Sequence, residues 1–132
     1  MDFGVLRTQS NITNADRVKA VYDFFKKLIK KYQPDAMSIE SVFFFKNIKT
    51  VLKVSEIRGV LLLVAADQSL DIHEFTPLQV KQAVSSYGRA DKKQVQRMVE
   101  LILGIKIGPK VPDDAVDALA IAICCALNLP KI

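Results

Sequence analysis

The sequence has few of the residues that build zinc or disulfide sites. It contains no tryptophan, one histidine and two cysteines among 132 residues. Cys124 and Cys125 are adjacent in an apolar segment, and this spacing indicates neither a zinc site nor a disulfide framework. The single histidine, His73, stands among alternating residues, where a structural role is usual, so we assign it no chemistry. For Cys124 and Cys125, the apolar surroundings predict reduced thiols in the protein core.

Long apolar runs and targeting segments are also missing. No apolar run is long enough to cross a bilayer, and the N-terminus does not resemble a signal peptide. The hydrophobic content of 50% and the charged content of 25% are typical of a globular chain, and the length suits one domain. We therefore predict a single cytoplasmic domain over residues 1–132, without a membrane partner. The net charge of +5 favours a polyanionic partner.

What the sequence does contain is an alternation of strand and helix patterns. Strands are predicted over residues 3–8, across Glu40 and over 70–75. Helices are predicted on the apolar face from Val18 to Tyr32, from the Asn47 cap to Ala66, and over 77–84, 92–103 and 112–127. Because strands alternate with helices, we expect an α/β fold.

The last predicted helix carries acids at its start and is otherwise apolar. Asp114 and Asp117 are three residues apart and therefore share one face. Since the helix is hydrophobic all round, we expect it to lie inside the domain, where carboxylates need hydrogen-bond donors, a cation or a metal. The alternative is that these acids only favour the helix start, with Asp113 or Asp114 as its cap.

A third acid stands in the second predicted strand. Glu40 lies in the middle of a β-like run where β-branched or aromatic residues are usual. Either it faces solvent on a half-exposed strand, or it meets Asp114 and Asp117. Three converging carboxylates would form an oxygen-rich site suited to Mg²⁺ or Mn²⁺.

Three further features each allow two interpretations. The residues Phe43 to Phe45, followed by Lys46, are either core and lid residues or a stacking element for unpaired bases. The apolar second half of the helix ending at Ala66 is either core or half of a dimer interface. A lysine cluster on the first helix is either a solvated face or a phosphate-contacting patch. Its members are Lys26, Lys27, Lys30 and Lys31.

Six segments are distinctive when they are taken together and in order. They are GVLRT (4–8), IESVF (39–43), RGV (58–60), QVKQAV (79–84), ADKKQVQ (90–96) and DAVDALA (114–120). Across nearly the whole chain, this series resembles the RuvC-type Holliday junction resolvases of the ribonuclease H-like superfamily. The resemblance implies a mixed sheet with flanking helices.

The resemblance also implies an activity and the residues that perform it. Members of this family are dimeric, metal-dependent endonucleases that bind four-way DNA junctions and nick two strands of like polarity. Glu40, Asp114 and Asp117 match family positions that hold Mg²⁺ or Mn²⁺. Lys81 and Lys92 match lysines near the scissile phosphate, so all five residues are candidates for the catalytic machinery.

Further positions are implied to contact DNA. Phe43 matches the aromatic residue that stacks against bases opened at the crossover, a role that requires an exposed ring. Lys46, Lys81, Arg89 and Lys92 are the basic residues that we expect beside the DNA. The implied partners are four-way junction DNA, a second copy of the chain and branch-migration motor proteins.

One departure from the family pattern affects these expectations. The family begins with a β-hairpin that carries a further metal-binding aspartate, and the sequence shows no such segment. We therefore expect an N-terminally truncated domain that lacks the first two strands, either because it is a fragment or because it rebuilds the sheet by rearrangement or pairing. The alternatives to the nuclease are an inactive junction-binding or dimerisation module and a nuclease for another branched DNA.

Overall fold

The computed structural model describes residues 1–41 and 47–130 and shows an α/β arrangement of five helices and two strands. The elements in chain order are α1 (Asn14–Tyr32), β1 (Ala36–Glu40), α2 (Ile48–Asp67), β2 (Asp71–Phe75), α3 (Pro77–Ser85), α4 (Lys92–Leu103) and α5 (Asp113–Asn128). The predicted class and all five predicted helices are confirmed. At most of the helix and strand ends, the predicted bound lies within one residue of the observed one.

The strand predicted over residues 3–8 is wrong. This segment has no regular secondary structure, and Phe3, Val5 and Leu6 are each more than a third exposed. A strand persists only where its backbone groups find a ladder partner. Among the described residues only β1 and β2 pair with each other, so the β-like composition of residues 3–8 has no partner to satisfy it.

The two strands run in the same direction. The Ser41 backbone N–H, one residue past β1, donates to the Phe75 carbonyl at the end of β2, at 2.8 Å. The carboxyl ends of both strands therefore lie at one edge of the sheet. That edge carries Glu40, the last residue of β1.

Helix ends follow the local sequence signals. Thr76 and Gln79 form a capping box at the start of α3, with Pro77 at the first helical position. Asp91 and Gln94 form the equivalent box at the start of α4. Gly104 ends α4 with φ +65°, a left-handed conformation that glycine adopts without strain.

The described residues divide into two compact units. The first comprises Met1–Val5, Ser38–Ser41 and the described chain from Glu74 onward, and the second comprises the intervening described segments. In the first unit α3, α4 and α5 surround an apolar core that includes Val99 and Cys124, which are 0% and 1% exposed. The prediction of one domain over residues 1–132 stays a prediction.

The second unit is built on α1 and α2. Val21 and Ile29 of α1, with Val64 and Ala65 of α2, are its buried apolar residues among those described. Two side-chain hydrogen bonds join the helices: Tyr22 donates to the Asp67 carboxylate, and the Asn14 amide donates to Glu56 at 2.7 Å.

Both surfaces singled out on these helices are exposed. The four lysines of the α1 cluster face solvent, and Lys26 Nζ lies 5.6 Å from the centre of the Tyr22 ring. Ile48, Leu52 and Leu63 of α2 are 78%, 58% and 55% exposed. Only some of the apolar side chains of α2 are therefore buried in the core.

Helix α5 is less buried than its sequence predicted. Eight of its 16 residues are buried, whereas Ala118, Ala122 and Ala126, spaced four apart, are exposed. The expectation of a helix buried on all sides was therefore wrong. Alanine occurs in the core and at the surface, so an alanine-rich face does not report burial.

Among the described residues, no helix is both long enough and apolar enough to cross a membrane.

Two predictions about α5 side chains have clear outcomes. Cys124 and Cys125 are buried free thiols, as predicted. The proposed cap is wrong, because Pro112 occupies the N-cap position and no side chain provides a cap hydrogen bond. The acids at the start of this helix therefore do not serve as its cap.

Candidate active site

The first unit contains a cavity of about 460 Å³ at the carboxyl end of β1. Its apolar floor comes from α3, α4 and α5 and includes Val80, Val95, Val116 and Ala120. Charged groups from four elements stand around this floor. They are Glu40, Lys81, Lys92, Lys93, Asp113 and Asp117.

Glu40 contributes a carboxylate from the strand end. Glu40 is exposed, whereas its neighbour Ser41, just past the strand, is buried. Partial burial of the carboxyl group raises its pKa above the ordinary value, and the charges of Asp117 and Asp114 raise it further, while Lys81 opposes the shift. Glu40 therefore lies within electrostatic reach of the acidic pair from α5.

Asp117 provides the second carboxylate of the cavity. It lies one turn into α5, between the buried residues Val116 and Leu119 and close to the helix N-terminus. Burial raises its pKa, and the charges of Asp114 and Asp113 add to this effect, whereas Lys92 and Lys81 oppose it. A carboxylate kept in this setting gains from a nearby cation.

Asp114 and Asp113 occupy different positions at the start of α5. Asp114 is exposed and does not line the cavity, although its charge acts on both Glu40 and Asp117. Asp113 lines the cavity. Sequence reasoning treated Asp113 only as a possible cap and missed this position. The signal available was a third acid at the helix start, directly before the pair.

The two lysines matched to the family enter the cavity from different helices. Lys81 is half-buried in the middle of α3. Lys92 is the first residue of α4, and its Nζ atom lies 2.9 Å from Asp113 Oδ2. This ion pair and the carboxylates of Asp117 and Asp114 raise the pKa of Lys92. Both predicted lysines therefore stand beside the predicted carboxylates.

Of the remaining predicted DNA contacts, the structure describes only Arg89. Arg89 is exposed in the turn before α4 and does not line the cavity. Phe43 and Lys46 lie outside the residues that the structure describes. Their assignment to DNA binding stays a prediction.

Glu40 and Asp117 line the cavity and Asp114 acts on both through its charge, but the three acids do not form a closed ligand set. Across residues 1–41 and 47–130, no group of three or more His, Cys, Asp or Glu side chains is placed to hold one ion. The donors that Glu40, Asp114 and Asp117 offer are nonetheless all carboxylate oxygens, the ligand type of Mg²⁺ and Mn²⁺. Asp114 and Asp117 share an edge of α5, and Glu40 comes from a different element.

Comparisons with known proteins all identify one family. The family model described as "Crossover junction endodeoxyribonuclease RuvC" matches residues 1–125. A protein of that name from Thermosipho melanesiensis is 48% identical over 125 residues, which are 95% of this chain and 79% of the relative. One from Ruminiclostridium cellulolyticum is 52% identical over 124 residues, which are 94% of this chain and 74% of the relative.

Solved structures give the same result. The Thermus thermophilus RuvC structure matches with a TM-score of 0.83 and 31% identity, covering 92% of this chain and 72% of that one. The T. thermophilus RuvC in complex with Holliday junction substrate matches with a TM-score of 0.86 and 32% identity, covering 91% and 72%. The predicted ribonuclease H-like fold is confirmed by these matches.

Proposed function

The chain belongs to the RuvC family of crossover junction endodeoxyribonucleases, and from this premise we propose that it resolves four-way DNA junctions by phosphodiester hydrolysis. One observation carries the proposal: the charges of Asp117 and Asp114 from α5 act on Glu40 from β1, at a cavity that also holds Lys81 and Lys92. Relatives are named crossover junction endodeoxyribonuclease, and one related structure is a complex with Holliday junction substrate.

The donor set fits a divalent cation, Mg²⁺ or Mn²⁺. Protein Mg²⁺ sites commonly use one or two carboxylates and complete their coordination with water and substrate phosphate. A closed cage of protein ligands is therefore not required before DNA arrives. The raised pKa values of Glu40 and Asp117 reflect partial burial and repulsion between like charges, which a cation would relieve. We assign Glu40, Asp114 and Asp117 as the ligands.

The bound cation would lower the pKa of a water molecule and stabilise the leaving oxygen. Lys81 contributes a fixed positive charge from the half-buried middle of α3, where it partly offsets the charge of Glu40. Lys92 contributes a second, more exposed charge from the start of α4. We assign both ammonium groups to stabilising the negative charge that builds up on the phosphate oxygens during attack.

The proposal extends to the rest of the DNA surface and to the partners. Phe43 is assigned to stacking at the crossover, and Lys46 and Arg89 to the phosphate backbone. The exposed apolar side chains of α2 supply the kind of surface that a homodimer buries. Symmetric nicking of two strands requires two active sites, which a dimer provides. Branch-migration motor proteins are further proposed partners in the cytoplasm.

A second candidate function is junction binding without cleavage. It is favoured by one observation, the lack of three closely grouped metal-ligand side chains among the described residues. It retains the lysines and Phe43 for binding and requires no turnover. The two candidates differ in whether the bound junction is cut.

The deciding experiment compares cleavage and binding on one substrate. A synthetic four-way junction is incubated with the protein in Mg²⁺ and analysed for nicks, and binding is measured by gel shift in EDTA. A linear duplex of the same sequence is the control, and flap and fork DNAs test other branched substrates. Symmetric nicking of the junction alone supports the nuclease. Binding without nicking supports the second candidate, and the absence of both rejects the two together.

A further inference from the structure

Two helix N-termini meet at the cavity through one ion pair. Lys92 is the first residue of α4 and Asp113 is the first residue of α5, and their charged atoms are 2.9 Å apart. Both side chains line the cavity that contains Glu40 and Asp117. The pair therefore joins two segments that are 21 residues apart in the sequence.

The position of Lys92 is unfavourable for its own helix. The N-terminus of a helix carries a partial positive charge, so a lysine in the first turn is disfavoured and an aspartate is favoured. The capping box of Asp91 and Gln94 fixes the backbone at this point, with hydrogen bonds of 2.8 and 2.9 Å. It does not hold the long Lys92 side chain, which is 78% exposed. Asp113 is the residue that gives this ammonium group a defined position.

Asp113 is the first residue of α5 but does not cap it. Pro112 is the N-cap of α5, and no side-chain cap bond is present. The side chain of Asp113 is 67% exposed, and its contact is with Lys92. An exposed ion pair adds little to folding stability, so stability is a poor explanation for this contact.

We propose that Asp113 is a positioning residue that holds the Lys92 ammonium beside the carboxylate cavity. The inference rests on the proposed nuclease function, in which Lys92 faces the scissile phosphate. Without Asp113 the lysine keeps its charge but samples positions away from the cavity. The expected loss is in the rate of the cleavage step, not in junction affinity, because Asp113 itself repels phosphate.

The first test is a mutant cycle on cleavage. Asp113→Asn should lower the single-turnover rate at saturating junction by about 3- to 10-fold, a modest effect that fits an exposed and flexible pair. Asp113→Glu should restore most of the rate, and binding in EDTA should stay equal or become tighter. In a Lys92→Ala background, Asp113→Asn should have no further effect. An equal loss in that background would show that Asp113 acts without Lys92.

The second test does not depend on activity. Lysines of the intact protein are acetylated with limiting acetic anhydride, and mass spectrometry gives the ratio of Lys92 to Lys93 modification. Lys93 lines the same cavity and serves as the internal reference. Asp113→Asn should raise this ratio and Asp113→Glu should return it toward the wild-type value. Thermal unfolding of each variant verifies that the fold is intact.

The two tests separate the possible failures. An unchanged acetylation ratio in Asp113→Asn overturns the positioning role, whatever the activity. If the ratio changes as expected but the wild-type chain cuts no junction, the proposed nuclease function fails and Asp113 does not serve cleavage. The whole inference is supported by a changed ratio together with a rate loss that occurs when Lys92 is present and is absent in the Lys92→Ala background.

Discussion

Replacing Glu40 by glutamine separates the contribution of this carboxylate to cleavage from its effect on folding stability. Glutamine has nearly the same shape, so the substitution removes the charge and leaves packing at the end of β1 unchanged. Glu40 is exposed at the cavity, and its pKa is raised first by partial burial and then by Asp117 and Asp114. The same substitution should therefore lower activity and raise stability.

The expected loss of activity is large. A metal ligand contributes through Lewis-acid stabilisation worth several kcal/mol. Taking about 3 kcal/mol as the share lost with one of three carboxylates, and 1.36 kcal/mol per tenfold, the cleavage rate should fall by about 10²-fold or more. Junction binding measured in EDTA should be unchanged, because the role proposed for Glu40 is to hold the cation and not to contact DNA.

The expected change in stability has the opposite sign. Because the folded pKa of Glu40 lies above its ordinary value of 4.5, the folded chain binds more protons than the unfolded chain between those two pKa values. Stability therefore falls as pH rises through this interval, and the charged carboxylate costs stability at neutral pH. Solvent screens an exposed group, so Glu40→Gln should gain no more than about 0.5 kcal/mol at pH 7. The gain should vanish below about pH 4.

The assays are single-turnover junction cleavage and thermal unfolding in metal-free buffer at several pH values. Asp71→Asn is the matched control, since it removes an exposed strand carboxylate that does not line the cavity. It should leave both cleavage and unfolding nearly unchanged. Retained cleavage in Glu40→Gln would refute the ligand role. A loss of stability at pH 7 would refute the electrostatic account of this site.

Three further predictions concern the other groups. Lys81→Ala should lower the single-turnover cleavage rate by about 10²-fold through loss of charge stabilisation, and a normal rate would remove Lys81 from the mechanism. Val99→Ala should lower the free energy of unfolding by about 2–3 kcal/mol in urea titrations, because it removes two buried methyl groups and leaves a cavity. Phe43→Ala should reduce base unstacking, measured with a fluorescent base at the crossover, with little loss of stability. A loss of several kcal/mol would instead identify Phe43 as a core residue.

Local sequence signals were sufficient for the helices. Capping residues such as Thr76 and Asp91, with Gly104 at a helix end, act through hydrogen bonds and backbone conformations within a few residues. Their effect does not depend on the rest of the fold. The strand predicted over residues 3–8 failed because a strand depends on a distant partner. The burial of α5 was overestimated because alanine does not distinguish core from surface.

The candidate site was predictable in part. The spacing of Asp114 and Asp117 places them on one helix face without any tertiary information. Glu40 stood out as an acid in a predicted strand, and the resemblance to a family then added the two lysines; the structure brings all three residues to the same cavity. Asp113 was missed because its importance lies in a contact with Lys92, 21 residues earlier, and no local pattern reports such a contact.

The amino-acid sequence by itself determined where the helices begin and end, which thiols stay reduced in the core, and which acids share one turn of α5. Only the tertiary structure decided that Asp117 is close enough to Glu40 to raise the pKa of the Glu40 carboxyl group, that Asp113 pairs with Lys92, and that half of α5 stays in contact with water. The physical reason is range. Capping and helical periodicity act over three or four residues, whereas charge coupling and burial depend on distances in space between segments that are far apart in the chain.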